Sequence, residues 1–241
     1  MALLEIAGVS RRLGGRIVLD GIDLDVEAGE IIALIGRSGS GKSTLLRCIA
    51  ALDRADSGTI RVDGIDVGDA GRRRELRSRV GMVFQSLNLF PHLSVEANVT
   101  LALRKVQGMS VGDARDRARA MLTKVGIAEK ADSYPRALSG GQMQRVAIAR
   151  SLALEPKLLL LDEVTSALDP ETVREVQKVL ALLAGEGVTM ILVTHEIEFA
   201  LDVSNRIAFL EQGRIAELGE TRLTGRSPQT AALRDFLGFR L

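Results

Sequence analysis

Aromatic side chains, cysteine and long apolar runs are all scarce in this chain. Its 241 residues hold no tryptophan, one tyrosine and six phenylalanines. That scarcity argues against a platform for stacking nucleic-acid bases. The net charge of +1 at pH 7 implies no field that would draw a polyanion or an anionic membrane. Cys48 is the single cysteine, so no intrachain disulfide forms and a reducing compartment fits. It lies in an apolar stretch and reads as core. No apolar run approaches the ~18 residues needed to span a bilayer, and Met1-Ala-Leu-Leu-Glu-Ile6 lacks a basic-then-apolar leader. A soluble, cytoplasmic chain is expected, with any membrane role supplied by a partner. No 20–50-residue repeat or low-complexity tract is present. With 46% hydrophobic and 26% charged residues, the length suits one domain with a sizeable core.

What the chain does have is two glycine-rich stretches suited to gripping phosphate, only one of which carries a lysine. The first is Gly36-Arg37-Ser38-Gly39-Ser40-Gly41-Lys42-Ser43-Thr44, which has the spacing of a phosphate loop. Glycines let the backbone turn so that successive N–H groups point inward at phosphate oxygens. Lys42 is placed to neutralise β- and γ-phosphates, and the Ser43 hydroxyl to ligate Mg²⁺. The flanks agree. Glu30-Ile-Ile-Ala-Leu-Ile35 reads as a buried strand and Lys42 to Leu52 as a helix with an apolar face. The loop therefore meets a helix N-terminus, where the dipole favours an anion.

Leu158-Leu-Leu-Leu161 runs directly into Asp162-Glu163. Four leucines alone fit a buried helix or a strand, but Pro156 just before them favours the strand. Two adjacent acids are usually a solvated turn. Beside a phosphate loop, Asp162 is placed to reach Mg²⁺ and Glu163 to polarise an attacking water.

The second glycine-rich stretch is Leu138-Ser139-Gly140-Gly141-Gln142, followed by helical spacing to Ala153 without a breaker. Judged alone, Ser-Gly-Gly before a helix is an ordinary N-cap. Free N–H groups at a helix start also bind anions without a lysine. A chain with one complete nucleotide site and one incomplete cradle can finish the second with a nucleotide held elsewhere.

In this order and spacing the motifs resemble the nucleotide-binding subunit of ATP-binding cassette (ABC) transporters. The resemblance runs from about Leu3 to the C-terminal segment. It includes Gln85 in Val80-Gly-Met-Val-Phe-Gln85, Ser166-Ala-Leu-Asp169, and His195 in Val193-Thr-His-Glu196. It implies ATP and Mg²⁺ as ligands. The implied catalytic residues are Glu163 as general base, His195 at the γ-phosphate, Gln85 and Lys42. The implied nucleotide contacts are Gly36 to Thr44, Gln85, Ser139, Gly140, Gly141, Gln142, Asp162 and Asp169, with Ser43, Gln85 and Asp162 toward the metal. His195 follows an apolar strand, Val188 to Val193, at its exit, where ligands sit in such sheets. His92 lies outside the motif set.

The same resemblance implies a head-to-tail dimer of two copies, with each signature stretch closing on the other copy's nucleotide. It also implies a separate transmembrane permease, with an extracytoplasmic solute-binding protein engaged indirectly and no nucleic acid. That places the chain on the inner face of the cell membrane. Gln85 would couple nucleotide state to the permease, and Asp169 would face the second copy.

Two positions depart from the family pattern. Leu13 stands where an aromatic residue usually stacks on adenine, with Val18 still lining the pocket. Weaker or less selective adenine binding follows, unless an arginine at 11, 12 or 16 stacks instead. Val164 stands where a proline usually follows the glutamate, with little expected effect. Phe84 to Val99 and Leu161 to Glu171 resemble polar amino acid importers. The nearest alternative is an ATPase for lipoprotein or peptide export. DNA-repair or translation cassettes need a long coiled coil or a tandem second cassette. A phosphate-loop kinase or GTPase fits neither the signature nor Gln85.

The expected fold is α/β: a phosphate-loop (RecA-like) core with an antiparallel β-subdomain and a helical insertion carrying the signature. Residues 1–241 form one domain, with 1–88 and 157–241 as core and β-subdomain and 89–156 as the helical part. Antiparallel pattern is read from about Leu3 to Ile32 and from Gly58 to Val67. A terminal hairpin is read at Arg206–Leu210 and Arg214–Leu218, with little after it and so no C-terminal regulatory domain. The basic run Arg72 to Arg79 reads as a solvated helix face rather than a docking patch.

Overall fold

The computed structural model describes residues 2–166 and 168–238. The chain opens with a hairpin of β1 (Leu4–Leu13) and β2 (Arg16–Val26), followed by β3 (Ile31–Ile35) and α1 (Lys42–Ile49). Next come β4 (Ser57–Val62), β5 (Ile65–Asp66), α2 (Arg73–Arg79) and β6 (Val80–Val83). Three helices follow: α3 (Val95–Lys105), α4 (Val111–Lys124) and α5 (Gly140–Leu152). Then the chain alternates through β7 (Leu158–Asp162), α6 (Pro170–Gly185), β8 (Thr189–Val193) and α7 (Ile197–Val203). It finishes with the hairpin β9 (Arg206–Glu211) and β10 (Arg214–Glu220), then α8 (Thr221–Thr224) and α9 (Ala231–Leu237).

Two sheets organise these elements. The smaller is antiparallel, in the order β2-β1-β4-β5, and the larger runs β10-β9-β3-β8-β7-β6. In the larger sheet β6, β7, β8, β3 and β9 are parallel, with β10 added antiparallel at the edge. The parallel strands β3, β7 and β8 are buried at every residue, as expected when both faces of a parallel sheet are covered. Strand period decides which face each residue serves. Leu159, Leu161, Met190 and Leu192 join an apolar cluster with Val99, Leu122 and Ile148 of the three-helix segment. Leu158, Leu160, Ile191 and Val193 pack on the other side with Leu4, Ile22, Leu45 and Ile60. The sheet is thus the shared floor of both cores, and the three-helix segment is continuous with it in packing.

Most sequence expectations on elements hold, with three corrections. The antiparallel region ends at Val26, because Ile31 already pairs in parallel with Met190. The helix after the phosphate loop stops at Ile49 rather than Leu52; Ala51 turns left-handed at φ 53° and ends it. The terminal hairpin is followed by α8 and α9, and Leu233 and Phe236 of α9 pack against Ala33, Ile35 and Phe209. The basic run does form the exposed helix α2, where Glu75 accepts hydrogen bonds from Arg72 and Arg79.

Candidate active site at the carboxyl ends of the parallel strands

The parallel strands all deliver their C-termini to one end of the sheet, where such folds bind ligands. β3 runs into the phosphate loop, β6 ends two residues before Gln85, β7 ends at Asp162, and β8 ends two residues before His195. The structure therefore brings together residues spread over 160 positions.

The phosphate loop is held by close backbone approaches. Gly36 has φ 151° and Gly41 φ 111°, both outside ordinary L-residue territory. A methyl on Gly36 would lie 2.2 Å from the Leu210 carbonyl oxygen, and one on Gly41 2.6 Å from the Val18 carbonyl oxygen. Gly39, by contrast, faces open space. Lys42 folds back so that its ammonium donates to the Gly36 and Arg37 carbonyls at 2.8 and 3.0 Å. Those two bonds leave one N–H of the ammonium unspent. Burial holds the Lys42 pKa below the usual lysine range, against the pull of Glu163 and Asp162. The Ser40 hydroxyl is buried without a partner among the described residues.

Across the loop, the Ser43 hydroxyl donates to Asp162 at 2.9 Å. Asp162 is only 7% exposed. Burial raises its pKa above the ordinary carboxylate range, with neighbouring Glu163 adding to the rise and the Ser43 bond and Lys42 opposing it. Next in sequence, Glu163 takes a left-handed backbone at φ 47°, a strained conformation for a non-glycine residue. Its amide is fixed by the Val193 carbonyl at 2.9 Å, and its carboxylate lies 3.0 Å from His195 Nε2. The Gln85 amide donates to the Ser166 hydroxyl at 3.1 Å.

A hollow of about 340 Å³ remains, lined by Ser38, Gly39, Gly41 to Thr44, Val18, Gln85 and Glu163. Lys42 and Glu163 line it directly; beside that lining lie the buried Asp162, bonded to Ser43, and the unpartnered Ser40 hydroxyl of the loop. An anion chelated to a divalent cation would answer each of these at once. Among the described residues no group of three or more His, Cys, Asp or Glu side chains could hold a metal ion alone. A cation bound there must draw ligands from the nucleotide as well.

The second glycine-rich stretch lies elsewhere. Ser139 caps α5 and forms a full capping box: its hydroxyl accepts from the Gln142 amide at 3.2 Å, and the Gln142 side chain accepts from the Ser139 amide at 3.0 Å. Ser139 is exposed and Gly140 half-buried, while Gly141 packs on α6, where an added methyl would meet Thr172 Cγ2 at 2.0 Å. None of these residues lines the phosphate pocket. Asp169 caps α6 by accepting from the Glu171 and Thr172 amides. Ala167, within the expected Ser166–Asp169 loop, lies outside the described residues.

Of the two residues expected at the base, Val18 lines the pocket. Leu13 sits at the end of the β1–β2 hairpin, paired with Arg16 and 43% exposed. Val164 is buried. His92 makes an edge contact with Phe90 away from the site. Cys48 is core, with its thiol pushed up to about 11 by burial. The capping box could have been read from Ser-x-x-Gln. The contacts of Gly36 and Gly41 with distant carbonyls had no signal in the sequence.

A parallel sheet with a lysine-bearing glycine loop and an acid pair at its strand ends defines a phosphate-loop ATP hydrolase. The family profile described as ABC transporter matches residues 19–166. The glutamine transport ATP-binding protein GlnQ of Escherichia coli (strain K12) is 50% identical over 236 residues, covering 98% of each chain. The histidine/lysine/arginine/ornithine transport ATP-binding protein HisP of Salmonella typhimurium is 48% identical over 247 residues, covering 97% of this chain and 96% of that one. The dimeric post-hydrolysis structure of the ATP-binding cassette MJ0796, bound to ADP and Pi, superposes with a TM-score of 0.81 at 34% identity, covering 91% of this chain and 99% of that one. This chain belongs to the ABC transporter family. Among its described residues, no helix is long and apolar enough to cross a membrane.

Proposed function

We propose that two copies of this chain close head to tail on ATP, and that hydrolysis by the pair drives import of a polar amino acid through a separate permease. The observation that carries the dimer is the separation of the two phosphate grips. The lysine-bearing pocket is built without any residue of Leu138–Gln142, while at the start of α5 the capping box satisfies the Ser139 and Gln142 amides and helix geometry leaves those of Gly140 and Gly141 without an intrahelical acceptor. Such a helix start suits an anion presented from outside. A second copy related by a two-fold axis presents one. The dimeric state named for MJ0796 supports the same reading.

Within the pocket each residue then has a task. The amides of Gly36 to Thr44 cradle the phosphates, and Lys42 neutralises them from its buried seat. Ser43, Asp162 and Gln85 are the residues that would hold Mg²⁺, which supplies charge neutralisation at the β- and γ-phosphates. Glu163 accepts the proton of the attacking water. His195, already within hydrogen-bonding distance of Glu163, turns toward the γ-phosphate, and Gln85 relays its presence to the three-helix segment. Ser139, Gly140, Gly141 and Gln142 close on the nucleotide of the facing copy, and Asp169 lies at that junction. Val18 forms an apolar wall for adenine and Leu13 its exposed rim. Residues 1–88 and 157–241 act as one catalytic unit and 89–156 as the part that answers the permease.

Polar amino acid import rests on the near-full-length likeness to GlnQ and HisP. The chain would sit on the inner face of the membrane, joined to the permease and indirectly to a solute-binding protein. Deleting the gene, or replacing it with the Glu163→Gln form, should abolish uptake of one labelled polar amino acid. Undiminished uptake across a panel of amino acids would reject import as the role.

A further inference from the structure

Gly213 belongs to no phosphate-binding motif, yet it touches both walls of the nucleotide pocket. It occupies the β9–β10 turn with Gln212, both left-handed at φ 81° and 49°, the geometry of a tight two-residue hairpin. Its amide donates to the Ser40 carbonyl of the phosphate loop at 3.1 Å, and its carbonyl accepts from the Asp20 amide of β2 at 2.8 Å. A methyl at Gly213 would lie 2.7 Å from the Val18 carbonyl oxygen, the same oxygen that Gly41 approaches from the loop side. The preceding strand presses on the loop as well, since the Leu210 carbonyl lies against Gly36. Arg214 clamps the outer side through an ion pair with Asp20 at 2.6 Å.

We infer that the β9–β10 turn, through Gly213, is a positioning element of the nucleotide site: it fixes the spacing between the phosphate loop and the β2 wall that carries Val18. The backbone of Val18 is wedged between two glycines, one on the phosphate loop and one on the hairpin, so anything that widens the hairpin side moves base wall and phosphate cradle apart. Gly213 touches no substrate and acts through Ser40, Val18 and Asp20. The inference rests on the reading of this pocket as the ATP site.

The test pairs Gly213→Ala with Gly108→Ala. Gly108 is left-handed at φ 72° in the α3–α4 turn with open space around it, so it carries the same backbone cost without the collision. Binding of a fluorescent ATP analogue with Mg²⁺ should weaken about tenfold in Gly213→Ala, equivalent to ~1.4 kcal/mol, and stay at the wild-type value in Gly108→Ala. Hydrogen exchange on the wild-type chain gives a second readout that needs no variant. Nucleotide should slow exchange of the Asp20 and Gly213 amides and leave the Gly108 region unchanged. Equal affinity in the two variants, or no protection at Asp20 and Gly213 on nucleotide binding, overturns the inference. Failure of the wild-type chain to bind the analogue would instead overturn the ATP-site reading.

Discussion

The two phosphate grips of this chain solve opposite problems. The phosphate loop and the acids facing it are strained and under-satisfied: a buried Lys42 and a left-handed Glu163 line the pocket, and a desolvated Asp162 and a partnerless Ser40 hydroxyl lie beside it. The start of α5 is locally content: Ser139 and Gln142 complete each other's hydrogen bonds, and Gly141 packs on Thr172. The first region stores the cost of waiting for a charged ligand. The second is a finished helix end that gains only when a charge arrives from outside. If the second region closes on the nucleotide of a facing copy, as proposed, nucleotide binding is local to one copy and turnover depends on two.

The largest effect that tests this division is at Glu163. Glu163→Gln keeps the shape and removes the carboxylate proposed as proton acceptor, and should lower ATPase by roughly 10²–10⁴-fold. The same variant should accumulate as an ATP-bound dimer in size-exclusion chromatography with Mg²⁺. A monomer with full activity would remove Glu163 from the chemistry. Next in size is Ser139→Arg, which puts bulk and positive charge at the free end of α5. ATPase should fall about 10²–10³-fold, the loss seen when a transition-state donor is removed. ATP affinity of the monomer should hold, because Ser139 lies outside the pocket. Loss of the cap itself costs ~1 kcal/mol, read as a melting point roughly 2–4 °C lower. If binding and turnover fall together in that variant, the two regions are not separate.

These regions were not equally legible. Continuous apolar runs ending in acids identified β7, and a glycine-lysine loop between strand and helix identified the pocket, because both rest on local pattern. The end of α1 has no local stop signal: Ala50-Ala51-Leu52 is made of good helix formers, and only the left-handed turn at Ala51 stops the helix. The helix α9 has little local signal beyond the Thr230 cap and the left-handed Gly238 that closes it. Those signals are short, and the helix exists by packing Leu233 and Phe236 on Phe209. The contacts of Ser43 with Asp162 and of Glu163 with His195 join residues 119 and 32 apart, so they depend on strand order that no local pattern states.

A smaller effect probes the strain at the phosphate loop. Burial raises the Asp162 pKa in the folded chain above its unfolded value. The folded form therefore binds the proton more tightly, and the associated stability is present at low pH and lost as pH rises through the folded value. At neutral pH the ionised carboxylate works against folding until a cation binds. Asp162→Asn keeps an acceptor for Ser43 and removes the charge. The nucleotide-free variant should be more stable at pH 7 by ~0.5–2 kcal/mol, the usual gain on relieving a functional site, and should lose ATPase. The stability gain should vanish at pH values where wild-type Asp162 is already protonated. A lower melting point at pH 7 would show that Asp162 is not a strained group.

The smallest expected effect concerns the base end of the pocket, where the contrast between the two grips gives no guidance. Val18 lines the hollow, but Leu13 lies exposed at the hairpin end beside Gly14 and Gly15. A leucine there offers adenine an edge of apolar surface without a π-face. If that rim faces the base, most of the binding energy comes from the phosphate loop, and ATP and GTP should be held with similar affinity. Leu13→Tyr would add a stacking face worth at most ~1–3 kcal/mol, reduced by the solvent exposure of the hairpin end. The expected outcome is a several-fold tighter ATP affinity with a larger preference over GTP, and unchanged turnover at saturation, because the proposed phosphate contacts of Lys42 and Ser43 are untouched. Unchanged affinity for both nucleotides would place the base elsewhere, against Val18 and the arginines of β1 and β2. Nucleotide recognition in this chain would then be almost wholly a matter of phosphate.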